Sequence, residues 1–332
     1  MRQLLTPVDT ADQPILDCAR IIYEQELTGD INASILRELN SRLGIEIATA
    51  VLYVHFESKL LRSAQELIIP AADQRPLMVA VAPGAFYKEH PEIAADGREL
   101  IELAAQQSWD CELIDSRSLG APMVNAAIIN EFLDVATRSH RVILVSLSKG
   151  TTDAMMAQSL QPDLFESLTG WVSVSGVNYG TMMADWLLDK WYLRPVLQFM
   201  LWRHGADQNS VSSLRYRPAH PSGAEVVKTG FPMIHIAGFP LQRHLSCRRA
   251  RLWYRRFRSH GPNDSVVMLE DLFRLPGTVV PVWGADHYLR GDWNVAESVA
   301  RLIGLLNARS ERSHDDATVS SSREPLSFTT KV

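Results

Sequence analysis

The chain has 332 residues, 46% of them hydrophobic and 21% charged, with 18 glycines and 17 prolines, a profile that excludes collagen-like, low-complexity and wholly disordered chains. Thirty-three Lys and Arg against 38 Asp and Glu give a formal charge of -5, so the chain as a whole lacks the basic excess that nucleic-acid binding draws on. Three cysteines, Cys18, Cys111 and Cys247, leave at least one thiol unpaired and show no metal-ligand spacing, which fits a reducing compartment.

The opening MRQLLTPVDTADQP has no long apolar run and does not read as a secretory signal, so a cytosolic protein is expected. Over residues 1–75 apolar positions recur at helical spacing, in Ile15, Cys18, Ala19 and Ile22 and again in Ile45, Ala48, Val51, Leu52 and His55–Phe56, which predicts an N-terminal helical segment. From Pro76 the texture changes to short apolar runs separated by helical stretches: Leu77–Ala82, Glu112–Ile114, Val142–Ser146, Trp171–Ser175, Met233–Ala237 and Thr278–Val282. Such runs predict an open, mostly parallel α/β sheet with helices on both faces over residues 76–307. His55 and His235 read as core histidines. No self-similarity appears at a period of about 20–50 residues, so solenoids and propellers are excluded.

Within this frame RVILVSLSKG, residues 141–150, passes from an apolar strand into a small-residue turn, and TTDAMMAQSL continues at helical spacing. Strand, Ser-x-Ser-x-Gly turn and helix form the context of a nucleophile elbow, with Ser148 at its centre. Such a turn lifts a hydroxyl above the sheet and sets the Lys149 N–H and the helix N-terminus beside it, ready to face an oxyanion. The Lys149 side chain is not needed for this.

Residues 180–230 are too long for a simple crossover and carry Trp186, Trp191 and Trp202 among many leucines, which predicts a Trp-rich lid over the sheet edge. Asp189, Lys190, Arg194 and Pro195 interrupt the stretch, so it does not read as a membrane span. QRHLSCRRARLWYRRFRSH, residues 242–260, interleaves arginines with Leu252, Trp253, Tyr254 and Phe257. On one helix it reads as a solvated basic face with an apolar underside, with peripheral contact to an anionic head group through residues 243–258 as the alternative.

A hydroxyl nucleophile needs a base, and VVPVWGADHYLRGDW places His287 just past the last predicted strand. An acid should orient that imidazole, and HGPNDSVVMLED offers Asp264 in an Asn-Asp turn, with Asp271 in reserve. Asp286 reads as a turn-stabilising neighbour of His287. Ser148, Asp264 and His287 follow the chain order of α/β-hydrolase triads. The tail from residue 308 to 332 is Ser/Thr-rich and charged, and is expected to be disordered.

On the turn SLSKG, the acid loop GPNDSVV, the histidine loop VWGADHYL and the segment GVNYGT, residues 76–306 resemble the α/β-hydrolase superfamily, and within it lipases and esterases. The chain departs from that pattern at Ser146, where the elbow usually has glycine, and at Ser265, where acid loops often have glycine. The resemblance implies a second oxyanion donor from the loop VAPGAFYKEH, assigned to Ala85 or Phe86, and substrate contacts from Trp186, Trp191 and Tyr179. It implies a serine esterase or thioesterase with a hydrophobic small-molecule substrate, working through an acyl-enzyme and needing no metal or organic cofactor. Acyl transfer by the same triad and a catalytically silent binding protein are the alternatives.

Overall fold

The computed structural model describes residues 8–27, 31–62, 75–107, 109–204, 206, 208–217, 229–290 and 293–307. Six parallel strands form one sheet: β1 (Leu77–Ala82), β2 (Asp110–Leu113), β3 (Arg141–Leu147), β4 (Gly170–Val174), β5 (Met233–Phe239) and β6 (Thr278–Trp283), in the order β2-β1-β3-β4-β5-β6. Five of the six run fully or almost fully buried, which is why they read as continuous apolar runs rather than as alternating ones. The edge strand β2 alternates exposed and half-buried positions and begins two residues before the predicted run, at Asp110, where it joins the β1 ladder.

Successive residues on each strand feed opposite faces of the sheet. On one face Val79, Val81, Ile143, Val145, Ile234, Ile236, Val280 and Val282 pack with Leu100 of α4 (Arg98–Gln106) and with Val299, Leu302, Ile303 and Leu306 of the helix over 295–307. On the other face Met78, Ala80, Val142, Leu144 and Met233 meet α5 (Pro122–Ser139), α6 (Lys149–Leu160) and α7 (Pro162–Glu166) through Ile129, Leu133, Ala154, Ala157 and Phe165.

The same face continues over β5 and β6, where the N-terminal helices take over the cover. These are α1 (Gln13–Gln25), α2 (Ala33–Leu43) and α3 (Ile45–Arg62), and their buried residues join Ala237, Phe239, Val279 and Trp283 in one cluster. Helix α3 is buried on every side from Ala48 to Phe56, as expected of a helix between the sheet and two outer helices. The buried stripe of α1 is Leu16, Ala19, Ile22 and Tyr23, whereas Cys18, grouped with that stripe from its spacing, is exposed.

One buried carboxylate ties this cover to the sheet. Asp12, at the start of α1, accepts the indole N–H of Trp283 at 2.8 Å, pairs with Arg243 and lies 2.9 Å from His244 Nε2. Burial pushes its pKa upward, but the bonds from Arg243 and Trp283 and the neighbouring charges outweigh that and hold it below the usual carboxylate value. Trp283 closes the strand that leads directly to His287.

Residues 180–230, as far as they are described, form α8 (Met182–Asp189), α9 (Arg194–Arg203) and α10 (Gln208–Ser212) above the carboxyl ends of the strands. Residues 218–228, and the tail from 308 expected to be disordered, lie outside the described residues.

Candidate active site

Ser148 sits between β3 and α6 with φ 48° and ψ -113°, a left-handed conformation that a non-glycine residue adopts only under strain. Its surroundings hold it there: the Ser148 N–H donates to Val174 O at 2.9 Å, and the Val177 N–H donates to Ser148 O at 3.1 Å. Two residues on, a Cβ at Gly150 would stand 2.4 Å from Ala82 O and 2.5 Å from Pro83 O, so only glycine lets α6 approach the end of β1.

Ser146, at the position where glycine is usual, is fully buried and fully used. Its hydroxyl accepts the Trp171 indole N–H at 2.8 Å and lies 2.8 Å from Thr151 Oγ1, which in turn lies 3.0 Å from Ser173 Oγ. The substituted hydroxyl therefore ties β3, β4 and α6 together beneath the elbow.

Ser148 is half-buried, and its Oγ lies 2.9 Å from His287 Nε2. The other ring nitrogen, Nδ1, lies 2.9 Å from Asp264 Oδ2. A carboxylate only accepts, so Nδ1–H donates to Asp264, and Nε2 is left to accept from the serine hydroxyl. Asp264 is buried, and its second oxygen accepts the backbone N–H groups of Val266 and Val267, both at 2.8 Å, which leaves Oδ2 aimed at the ring. The loops also meet through their backbones, the His287 N–H donating to Asp264 O at 2.9 Å. Ser265 has φ 88°, the region that favours glycine, and its N–H donates to the Asn263 side chain at 3.1 Å. That Asx turn is how a serine occupies the glycine position of the acid loop.

The two other carboxylates are engaged elsewhere. Asp286 accepts from the Ser246 N–H at 2.8 Å and the Ser246 hydroxyl at 2.7 Å, and so braces the histidine turn. Asp271 pairs with Arg274 at 3.2 Å and lies 3.4 Å from the Tyr216 hydroxyl; burial pushes its pKa up to about 7. His235 is buried in β5 with Nε2 2.9 Å from Pro276 O, and burial pushes its pKa down to about 4, so it is a neutral core residue.

Of the oxyanion candidates, the Lys149 amide opens α6, where the helix dipole is positive. Its side chain turns away into a buried pair with Asp153 at 2.7 Å, which also accepts from Asn125 at 2.7 Å. This network, not visible in sequence spacing beyond the Lys-Asp interval of four, clamps the start of α6 to α5. Across the site the loop after β1 is pinned by Gly84 N–H to Ala95 O at 2.8 Å and by the Tyr87 hydroxyl to Ser116 O at 2.6 Å. Gly84's amide is thereby committed, which leaves Ala85 and Phe86, the latter at φ 62°, as the candidates on that side.

The three residues assigned to substrate contact are scattered. Trp186 packs edge-on against Trp253 at 5.3 Å, with the Arg256 guanidinium 4.3 Å above its ring. Trp191 stands 75% exposed. Tyr179 donates to Arg274 O at 3.1 Å and lines, with Asp264 and Asp271, an interior cavity of about 20 Å³, too small for an acyl chain. The segment over 181–204 touches two neighbouring loops: Thr181, capping α8, donates to Val266 O at 2.6 Å, and His204, after α9, lies 3.6 Å from Glu89 of the loop after β1.

No protein-family model matches the chain, and no curated protein matches its sequence. Solved structures do. A metagenomic carboxyl esterase is 17% identical over 74% of this chain and 73% of its own, with a TM-score of 0.48. Bacillus licheniformis lipase BlEst2 in mature form is 18% identical over 72% of this chain and 95% of its own, with a TM-score of 0.48. The same lipase in its propeptide form is 18% identical over 72% of this chain and 52% of its own, with a TM-score of 0.50. The fold is that of the α/β-hydrolases. At these identities the likeness speaks for the fold alone.

Proposed function

We propose that the protein is a serine hydrolase acting on a carboxylic ester or thioester with a hydrophobic moiety, in the cytosol. The observation that carries this reading is the unbroken relay from Ser148 Oγ to His287 Nε2 and from Nδ1 to Asp264, 2.9 Å at each step, at one rim of the sheet. Residues 76–307 are the catalytic unit, 180–230 its lid and 1–75 its helical cover.

Ser148 Oγ attacks the carbonyl carbon as its proton passes to His287 Nε2, and Asp264 stabilises the imidazolium that forms. The Lys149 amide, with Ala85 or Phe86, donates to the oxyanion. Collapse of that intermediate expels the alcohol or thiol, which leaves with the proton held by His287. Water, deprotonated by His287, then cleaves the acyl-enzyme to free acid and restores the serine. No metal or organic cofactor takes part in these steps.

A fluorophosphonate probe tests the reading. The native chain should be labelled stoichiometrically and should hydrolyse p-nitrophenyl esters. Ser148→Ala should lose labelling and about a millionfold in kcat. A folded native chain that resists the probe, or Ser148→Ala that is labelled as before, rejects it.

A further inference from the structure

The segment GVNYGT, residues 176–181, contributes no group to the relay from Ser148 to Asp264, yet it runs close behind that relay. A Cβ at Gly176 would stand 2.3 Å from Ser173 Oγ and 2.8 Å from Thr151 Oγ1, so glycine lets the segment leave β4 across the hydroxyl chain beneath the elbow. Just before it, Ser175 holds φ 46°, a left-handed conformation that favours glycine, while its N–H donates to Ile236 O at 2.9 Å. Together with His235 of β5, Ser175 and Asn178 line the interior cavity of about 20 Å³ that also reaches Asp264.

Each of these three residues carries a buried polar atom that no group among the described residues satisfies: Ser175 Oγ, Asn178 Oδ1 and His235 Nδ1. Ser175 is 5% and His235 2% exposed. A buried group left in that state forfeits the hydrogen bonds that water gives it in the unfolded chain. Neighbours fix the role of each atom. His235 Nε2 lies 2.9 Å from Pro276 O, which only accepts, so Nε2 carries the proton and Nδ1 presents a lone pair. Burial, which pushes the His235 pKa down to about 4, keeps the ring neutral. Asn178 donates its amide to Gly176 O at 3.0 Å, which leaves Oδ1 as an acceptor. The Ser175 hydroxyl is free to donate. Elsewhere on the wall Ser173 bonds Thr151, Tyr179 donates to Arg274 O, and Asp271 bonds Arg274 and Tyr216.

We infer that this cavity is the binding site of a single structural water molecule, which donates to His235 Nδ1 and Asn178 Oδ1 and accepts from the Ser175 hydroxyl. One water has two donors and two acceptors, so it satisfies all three atoms at once. The volume admits one such molecule rather than several, and a cavity with three polar partners holds water where an apolar one stays dry. A divalent cation does not suit the site, since Mg²⁺ or Ca²⁺ takes about six or more ligands, nearly all oxygens, against two oxygens and an imidazole nitrogen here. The water links β5 to the end of β4 and to a segment whose last residue, Thr181, donates to Val266 O of the acid loop at 2.6 Å. It also accounts for a serine at a left-handed position where glycine would cost less strain.

Oxygen-17 magnetic relaxation dispersion on the full chain counts its long-lived internal waters. His235→Leu, which removes an acceptor, should lower that count by one. Ser175→Gly relieves the backbone yet should lower the melting midpoint by about 2–6 °C, because the water loses its donor. A serine that served only the turn would give the opposite sign. An unchanged count in His235→Leu, or Ser175→Gly melting at or above the native chain, overturns the inference. Should His235→Leu fail to fold, a crystal structure of the native chain decides: density for one water within about 2.6–3.2 Å of all three atoms supports the site, and its lack rejects it. No turnover is measured, so this outcome is independent of the hydrolase reading.

Discussion

The rim of the sheet around Ser148 and helix α9 use the same kinds of side chain in opposite ways. Beneath the elbow, Phe165 and Trp171 are fully buried, their rings 5.7 Å apart, and the Trp171 indole is spent on Ser146. On α9, the rings of Phe199 and Trp202 lie 5.9 Å apart, tilted to each other, and face solvent. Aromatic residues in the first region fix the geometry of a strained turn; in the second they stand largely exposed. Content alone does not separate the two regions, because what matters is which side of the helix or strand has a neighbour.

The largest expected effect sharpens the site side of this comparison. Asp264→Asn keeps the size of the acid but loses the tautomer control, and kcat for ester hydrolysis should fall about 10,000-fold. Asp271→Asn should stay within about tenfold of the native rate, since its partners are Arg274 and Tyr216. The reverse ranking would transfer the acid role to Asp271.

A stability pair comes next. Phe165→Ala empties a packed site between α6 and the sheet and should cost about 3–5 kcal/mol. Phe199→Ala should change the urea midpoint by no more than about 0.5 kcal/mol equivalent. Similar losses from the two would mean that the exposed ring has a partner within the chain.

The smallest expected effect concerns Asp12. Its pKa is held below the ordinary 3.8, so its contribution to stability is complete above that value and is lost as pH falls through the lower folded-state value. Asp12→Asn should cost about 1–3 kcal/mol near neutrality by weakening the bonds to Trp283 and Arg243. It should also flatten the acid limb of a stability profile measured by urea unfolding. An unchanged limb would show that Asp12 titrates alike in both states.

Much of the sheet is legible because a strand buried on both faces must be apolar throughout, and all six runs lie within two residues of the observed strands. The elbow was legible because sterics demand small residues on either side of Ser148. Helix α2 went unnamed although Asn32 caps it, accepting from the N–H groups of Ser34 and Ile35; its capping signal was there to use. Cys18 was misplaced because a helical stripe permits two phasings, and contact with α3 selects the one through Leu16 and Tyr23. The Ser146–Thr151–Ser173 chain and the Asn125–Asp153–Lys149 clamp could not be read off, since each joins elements whose proximity exists only after folding. The same holds for Trp186, whose partners lie on α11 (Arg248–Phe257).

The bond from Trp283 to Asp12 joins residues 271 positions apart. During synthesis α3 leaves the ribosome before any strand exists, yet the surface it covers is completed only by β6, the last strand made. Its apolar circumference must therefore wait, sheltered by α1 and α2 or by chaperones, until β6 has emerged. Closure of α1–α3 onto β6 is then the step that commits the chain, and a ribosome stalled before β6 would hold a product whose helix α3, apolar on every side, is still unhoused.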